Sequence, residues 1–271
     1  MKLLIKALFS TFGLEVTRGP VVQPQLQQPE RDSHEGSLEN AIANGLKINT
    51  VLDIGAAFGK WTRMCLPLFP HANFLLIEPL PEYDPWLNSL AEESPLVSRV
   101  KAVAASQSGR TAFHVHEDWV GSSLLNEKAG EFADGERLEF EGETVDSIIK
   151  MSVLQGPFLI KIDVQGGEID VLAGSIQSLK ETAYLIVECS LYQFYKDGPL
   201  LHNVLNFMLE HGFVLYDILQ RSYRPLDKAL AQVDLVFVPE ESPLRSRQLF
   251  FTDSQREAWV ADFKDQHVAT K

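Results

Sequence analysis

The chain is poor in cysteine, in positive charge and in long apolar runs, and each shortage excludes something. Cys65 and Cys189 are the only cysteines, each inside an apolar run without metal-ligand spacing. That excludes a disulfide framework and a structural zinc site, and it points to a reducing, cytoplasmic setting. Lys and Arg number 24 against 37 Asp and Glu, a formal charge of -13, so a nucleic-acid backbone would meet repulsion and is not an expected partner. No apolar stretch approaches the roughly 20 residues that span a bilayer. With 271 residues, 45% of them hydrophobic, the chain can nonetheless fill a large core.

The ends read differently from the middle. Residues 1–18 place Leu4, Leu8 and Phe12 on one helical stripe, predicting an amphipathic helix for a membrane surface, another subunit or the domain's own core. Residues 19–35 are rich in Pro and Gln and predict a linker. The domain is predicted over 36–240, with Ser37 capping its first helix, and residues 241–271 form a helical extension whose Trp259 and Phe263 pack on the domain.

Between residues 50 and 240, short apolar runs alternate with helical stripes, the pattern of a sheet covered on both faces. Strands are predicted at 51–54, 73–78, 99–104, 158–163, 183–188, 213–218 and 233–238, which makes a doubly wound α/β domain with a seven-stranded, mostly parallel sheet. The rhythm breaks at 106–150, where alternation over 111–115 and turns at Asp134-Gly135 and Glu141-Gly142 predict a β-hairpin insertion beside the substrate pocket.

The segment VLDIGAAFG leads from the first strand into a turn bearing Gly55 and Gly59. It lacks the third glycine of a dinucleotide turn, which counts against a nicotinamide dehydrogenase. Asp53 before that turn suits an ammonium-bearing ligand such as the methionine portion of S-adenosylmethionine, and Glu78 at the end of the second strand suits a ribose diol. Ala56, Ala57, Pro79, Ala104 and Ala105 stand at the same strand ends and complete the predicted cofactor site with Asp163.

A second cluster lies in FLIKIDVQGGEIDVLAG, where Lys161 and Asp163 share one face of a central strand, and the next strand ends in Glu188. Asp163, Glu188 and Lys161 are the candidate catalytic group; the competing reading is a structural network about Lys161 with Glu168 capping its own helix. His114 and His116 are further candidate bases, with an exposed hairpin face as the favoured alternative, and Ser122 and Ser123 lie in a flexible loop that contacts ligand or solvent. No metal is expected, since Gln165 leaves the late cluster short of the charged oxygens a hard cation prefers.

With VLDIGAAFG, IEP at 77–79, GETVDSI at 142–148 and KIDVQGGEIDVLAG in that order, the chain resembles the FkbM family of S-adenosylmethionine-dependent methyltransferases over residues 50–240. The resemblance implies a Rossmann-type methyltransferase that uses S-adenosyl-L-methionine to methylate a hydroxyl of a sugar, glycolipid, polyketide or similar small molecule. It carries Asp53, Gly55 and Gly59 onto the cofactor loop, Glu78 onto the ribose acid, and Asp163 and Glu168 onto the late acidic motif. Two positions depart from the family: Ala57 stands where asparagine is usual, and Gln165 where glutamate is usual. Those departures give weight to a second reading, a catalytically silent module that keeps the fold.

Overall fold

The computed structural model describes residues 29–128 and 135–267. The predicted helix over 1–18, the first part of the linker and Asp134 therefore lie outside the described residues.

Helix α1 (His34–Ala43) starts two residues earlier than the linker boundary, because Ser33 and not Ser37 is its cap: the Ser33 hydroxyl accepts from Gly36 N at 3.1 Å. Ser37 is buried instead, with its hydroxyl 2.7 Å from the Tyr184 hydroxyl and 2.9 Å from Asp217 Oδ2. The predicted linker also ends too late. Arg31 pairs with Asp217 and Asp32 with Arg221, and His34 lies 2.6 Å from Asp234 Oδ2 beneath the surface.

The chain then alternates as the apolar runs require, through β1 (Thr50–Ile54), α2 (Lys60–Cys65), β2 (Asn73–Ile77), α3 (Asp84–Glu93) and β3 (Val97–Val100). The predicted third strand is two. Residues 101 and 102 leave the main sheet, so β4 (Val103–Ala104) joins β5 (Gly109–Val115) and β6 (Glu136–Glu143) in a separate three-stranded sheet, which is the expected hairpin insertion with one added strand. Next come α4 (Val145–Ser152), β7 (Phe158–Ile162), α5 (Glu168–Ala173), α6 (Ile176–Leu179), β8 (Thr182–Ser190) and α7 (Leu201–Glu210), then β9 (Phe213–Tyr223), β10 (Leu230–Pro239) and α8 (Asp253–His267). One helical stripe was expected after residue 168, but the chain breaks at Gly174, where a Cβ would stand 2.2 Å from the Ala105 carbonyl oxygen.

The main sheet has the order β3-β2-β1-β7-β8-β10-β9, and it is parallel except for β10, which runs antiparallel to both β8 and β9. The seven-stranded, mostly parallel, doubly wound α/β fold follows from the sequence as expected. Val51, Leu76, Leu159 and Ile186 pack against Leu38 of α1, Cys65 of α2 and Leu87 of α3 on one face. Leu52, Ile160, Leu185 and Phe237 pack against Ile148 of α4, Leu172 of α5 and Met208 of α7 on the other. Both cysteines are buried and free.

The terminal helix departs from expectation. α8 has no buried residue, and Trp259 and Phe263 remain about half exposed because they stack on each other, with ring centroids 5.4 Å apart, and not on the core. Among the described residues no helix is long and apolar enough to cross a membrane.

Candidate cofactor and acceptor site

Strands β1, β2, β7 and β8 all end at one edge of the sheet, where open α/β sheets bind ligands. A cleft of about 210 Å³ opens there. Its walls include Gly55 and Ala57 after β1, Glu78 and Pro79 after β2, Ala104 of β4, and Asp163, Gln165 and Glu188 from the β7 and β8 ends. Ile77, Leu80, Val103 and Phe113 supply an apolar side, and Tyr83, Trp119 and Ser122 close it from the 80s turn and the insertion.

The turn after β1 has a geometry that only certain residues allow. Gly55 has φ +78, and a Cβ there would fall 1.8 Å from the Asp163 carbonyl oxygen, so the two strand ends touch only because residue 55 is glycine. Ala57 follows at φ 45, in the left-handed region that an alanine occupies at a cost. The turn is held by Glu78: its Oε2 accepts from Ala57 N at 3.0 Å and its Oε1 from Leu80 N at 3.1 Å. Burial pushes the Glu78 carboxyl up to about 7, against those two backbone donors, which pull it down. Each oxygen keeps a lone pair that can face a diol in the cleft.

Asp53 is not aimed into the cleft as expected. Parity turns it under the sheet toward α2, where it is 1% exposed and its Oδ2 accepts from the Thr62 hydroxyl at 2.7 Å. Its Oδ1 has no hydrogen-bond partner. Burial raises its pKa, and the neighbouring Lys161 opposes that rise. Ala56, Gly59 and Ala105 also stand behind the wall: Gly59 starts α2 at φ 68, and Ala105 N is committed to the Glu143 carbonyl at 3.0 Å.

Lys161 pairs across the strands with Asp53 and donates from Nζ to Asp163 Oδ2 at 2.9 Å. Burial disfavours its charge, but Asp163 and Asp53 outweigh that and hold it protonated above its ordinary value. Gln165, in the left-handed region at φ 53, places Nε2 3.0 Å from Asp163 Oδ1 and 3.0 Å from Glu188 Oε2. Gln232 donates to the same Glu188 oxygen at 2.7 Å. Burial first, then Asp163 and Asp234, push the Glu188 carboxyl up to about 9. The network about Lys161 and the cleft are thus one arrangement, not alternatives. Glu168 stays outside the cleft; its Oε1 accepts from Gly166 N at 2.9 Å at the start of α5, and burial raises its carboxyl to about 7.

The insertion differs from both readings of its histidines. His114 and His116 are buried, not exposed, and neither lines the cleft. The loop beyond them is pinned: Ser122 Oγ accepts from His116 N at 3.0 Å, and Ser123 Oγ donates to the Gln165 carbonyl at 2.6 Å. Tyr83, Trp119, Gln232 and Tyr195 were not anticipated. Their only sequence signal is aromatic or amide character, and Gln232, in β10, reaches Glu188 solely because that strand is reversed. Among the described residues no group of three or more His, Cys, Asp or Glu side chains is placed to hold a metal ion.

A doubly wound sheet with a glycine turn after its first strand and carboxyls at the ends of β2, β7 and β8 defines an α/β enzyme of the nucleotide-cofactor class. Residues 53–215 match the methyltransferase FkbM domain, which is more than half of the chain, and the chain belongs to that family of methyltransferases. It is similar to the 2-O-methyltransferase NoeI of Sinorhizobium fredii (strain NBRC 101917 / NGR234), with 29% identity over 174 residues that cover 58% of this chain and 70% of NoeI. Among solved structures it is similar to a methyltransferase FkbM from Methylobacillus flagellatus KT, at 16% identity and a TM-score of 0.43 over 69% of this chain. The match spans only 43% of that longer protein. A second, an S-adenosylmethionine-dependent methyltransferase from Clostridium acetobutylicum ATCC 824, is 11% identical at a TM-score of 0.44, covering 75% of this chain and 89% of the other. These structural likenesses are loose; the architecture stands on the strand order itself.

Proposed function

We propose that the protein is an S-adenosylmethionine-dependent O-methyltransferase that acts on a hydroxyl of a sugar-like acceptor. The observation that carries this reading is the convergence on one cleft of the Gly55–Ala57 turn with the Glu78, Asp163 and Glu188 carboxyls. Family membership supplies the reaction class, and the likeness to a 2-O-methyltransferase supports a hydroxyl oxygen as the target. The residues present fit the cofactor. Glu78 would face a ribose diol, Leu80, Val103 and Phe113 would offer apolar walls to a base, and Asp163 at the β7 end would favour a cationic centre.

When bound, S-adenosylmethionine supplies an electrophilic methyl group on a sulfonium sulfur, whose bonding pair stays with the sulfur as a thioether. The chain's own part is alignment, exclusion of water and handling of one proton. Lys161 fixes Asp163 through Oδ2, and Oδ1, once it exchanges the Gln165 amide for the acceptor, takes the acceptor's hydroxyl proton as the oxygen–carbon bond forms. Burial and the neighbouring Asp163 raise the Glu188 carboxyl and favour its protonated form, which suits it to donate a hydrogen bond to the acceptor while Asp163 takes the proton. Trp119 and Tyr83, packed edge-on with centroids 5.9 Å apart, close the cleft toward solvent.

Calorimetric titration tests this directly. S-adenosylmethionine and S-adenosylhomocysteine are expected to bind and NAD to give no heat. Absence of binding to both sulfur ligands would overturn the reading.

A further inference from the structure

On the outer side of Gln165 lies a second hollow of about 340 Å³, and Gln165 is the residue it shares with the donor cleft. Gln165 and Gln232 line one side of it, and Glu127, Lys128, Gln193 and Tyr195 are among the rest. Those walls are built, not loose. Residues 126–128 run beside 194–196, with Lys128 N donating to the Phe194 carbonyl at 2.8 Å and Lys196 N to the Asn126 carbonyl at 2.7 Å.

We propose that this hollow is the acceptor subsite, that it takes an uncharged pyranoside, and that Gln165 is the partition past which one hydroxyl enters the donor cleft. The assignment rests on the methyltransferase reading above.

Position supports it first. Gln232 reaches Glu188 Oε2 at 2.7 Å, and Glu188 lines the donor cleft, so a ring resting on Gln232 has its nearest hydroxyl beside the methyl-transfer position. Chemistry supports it second. Gln165, Gln193 and Gln232 line it with amides, a group that both donates and accepts as a hydroxyl does, and a hydroxyl can exchange for the bonds that these amides make within the protein. Phe194 and Tyr195 add aromatic carbon to the wall for the apolar C–H side of a sugar. Charge selects within that class. Glu127 and Lys128 contribute one charge of each sign, and the Lys128 ammonium is already directed at Gln193 Oε1, 2.5 Å away, so a phosphate or carboxylate on the ligand finds no surplus cation.

Gln165 itself is suited to the partition. Its carbonyl is tied by Ser123 Oγ at 2.6 Å, and the Tyr195 hydroxyl stands 3.5 Å from its Oε1, while its Nε2 spans Asp163 and Glu188. An entering hydroxyl can take the place of that amide at Asp163 Oδ1, which sets the proton it must lose against its acceptor.

The test uses the full chain loaded with S-adenosylhomocysteine and reads ligand binding by saturation-transfer NMR. The probes are methyl glycosides of neutral hexoses and N-acetylhexosamines, with hexose 6-phosphates alongside. At least one neutral glycoside is expected to bind and the phosphates not to. Gln193→Ala and Phe194→Ala should each weaken glycoside binding at least tenfold while S-adenosylhomocysteine affinity stays within twofold of wild type, which also reports that the variants are folded. Glycoside affinity unchanged in both variants, phosphates preferred over glycosides, or S-adenosylhomocysteine bound without any neutral glycoside would each overturn the subsite. A wild-type protein that binds no S-adenosylhomocysteine would overturn the methyltransferase reading and this assignment with it.

Discussion

Replacing Lys161 by methionine keeps the length of the side chain and removes its charge. The ammonium lies among Asp163, Asp53 and Asp234, and its side chain is 9% exposed. Taking one partner out of a buried ion pair strands the other, at a typical cost of about 3 to 5 kcal/mol. At roughly 2 °C per kcal/mol for a domain of this size, Tm should fall by about 6 to 10 °C. The loss should depend on pH in one direction. Asp53 is fully buried, burial already raises its pKa, and Lys161 is what opposes that rise, so in the variant Asp53 holds a proton to higher pH in the folded state than in the unfolded chain. A carboxyl of that kind adds no penalty below its unfolded pKa of about 4 and an increasing one as pH rises above it. Scanning calorimetry at pH 8 and pH 5 should therefore find the larger deficit at pH 8, and adding Asp53→Asn should return at least half of it. A Tm within about 2 °C of wild type at pH 8 would refute the reasoning, as would a deficit that grows on acidification.

Glu78 is raised from 4.5 to about 7, so between those values the folded protein keeps a proton that the unfolded chain releases, and this group lowers stability by up to about 1.4 kcal/mol per pH unit as pH rises. Urea denaturation should show a steeper decline from pH 5 to pH 7 in wild type than in Glu78→Gln. Extending an N-terminal truncation from residue 28 to residue 34 removes the Ser33 cap and the His34 partner of Asp234, and should lower stability by several kcal/mol more than the shorter cut, on the order of 1 for the cap and the rest for the buried pair. Deleting residues 247–271 should leave the midpoint of urea unfolding unchanged, because α8 buries no residue; a drop of more than about 1 kcal/mol would show that it packs on the domain. Asp163→Asn should lower turnover by about 10² to 10⁴ while S-adenosylhomocysteine still binds, and a fully active variant would remove Asp163 from proton transfer.

The sheet was legible because burial on both faces leaves continuous apolar runs, and each of the seven runs lies in or overlaps a strand. Strand ends were legible too, which is why Gly55, Glu78, Asp163 and Glu188 meet where expected. What the chain could not reveal locally was direction and parity in three dimensions. Asp53 has the right position for a cofactor contact but is buried against α2, and its bond from the Thr62 hydroxyl shows this. His114 and His116 alternate as a hairpin does, yet the face they share is covered by the chain that returns through Gly121 and Ser123. α8 has two aromatics at helical spacing, and nothing in that spacing says whether they meet the core or each other.

The single reversed strand has an evolutionary reach. β1, β2, β7 and β8 each run at the ligand edge into a connection that leads to a covering helix, and its length is constrained at both ends. Because β10 runs backward, β9 and β10 meet at that edge in a hairpin over residues 224–229, with Gln232 and Asp234 just inside it. A hairpin can gain or lose pairs of residues at its tip without shifting the register of the strands behind it. Residues on that tip can therefore vary in number and kind while the Lys161 network and the glycine turn remain fixed. In this architecture the hairpin beside Gln232 is free to diverge, and the turn that bears Gly55 is not.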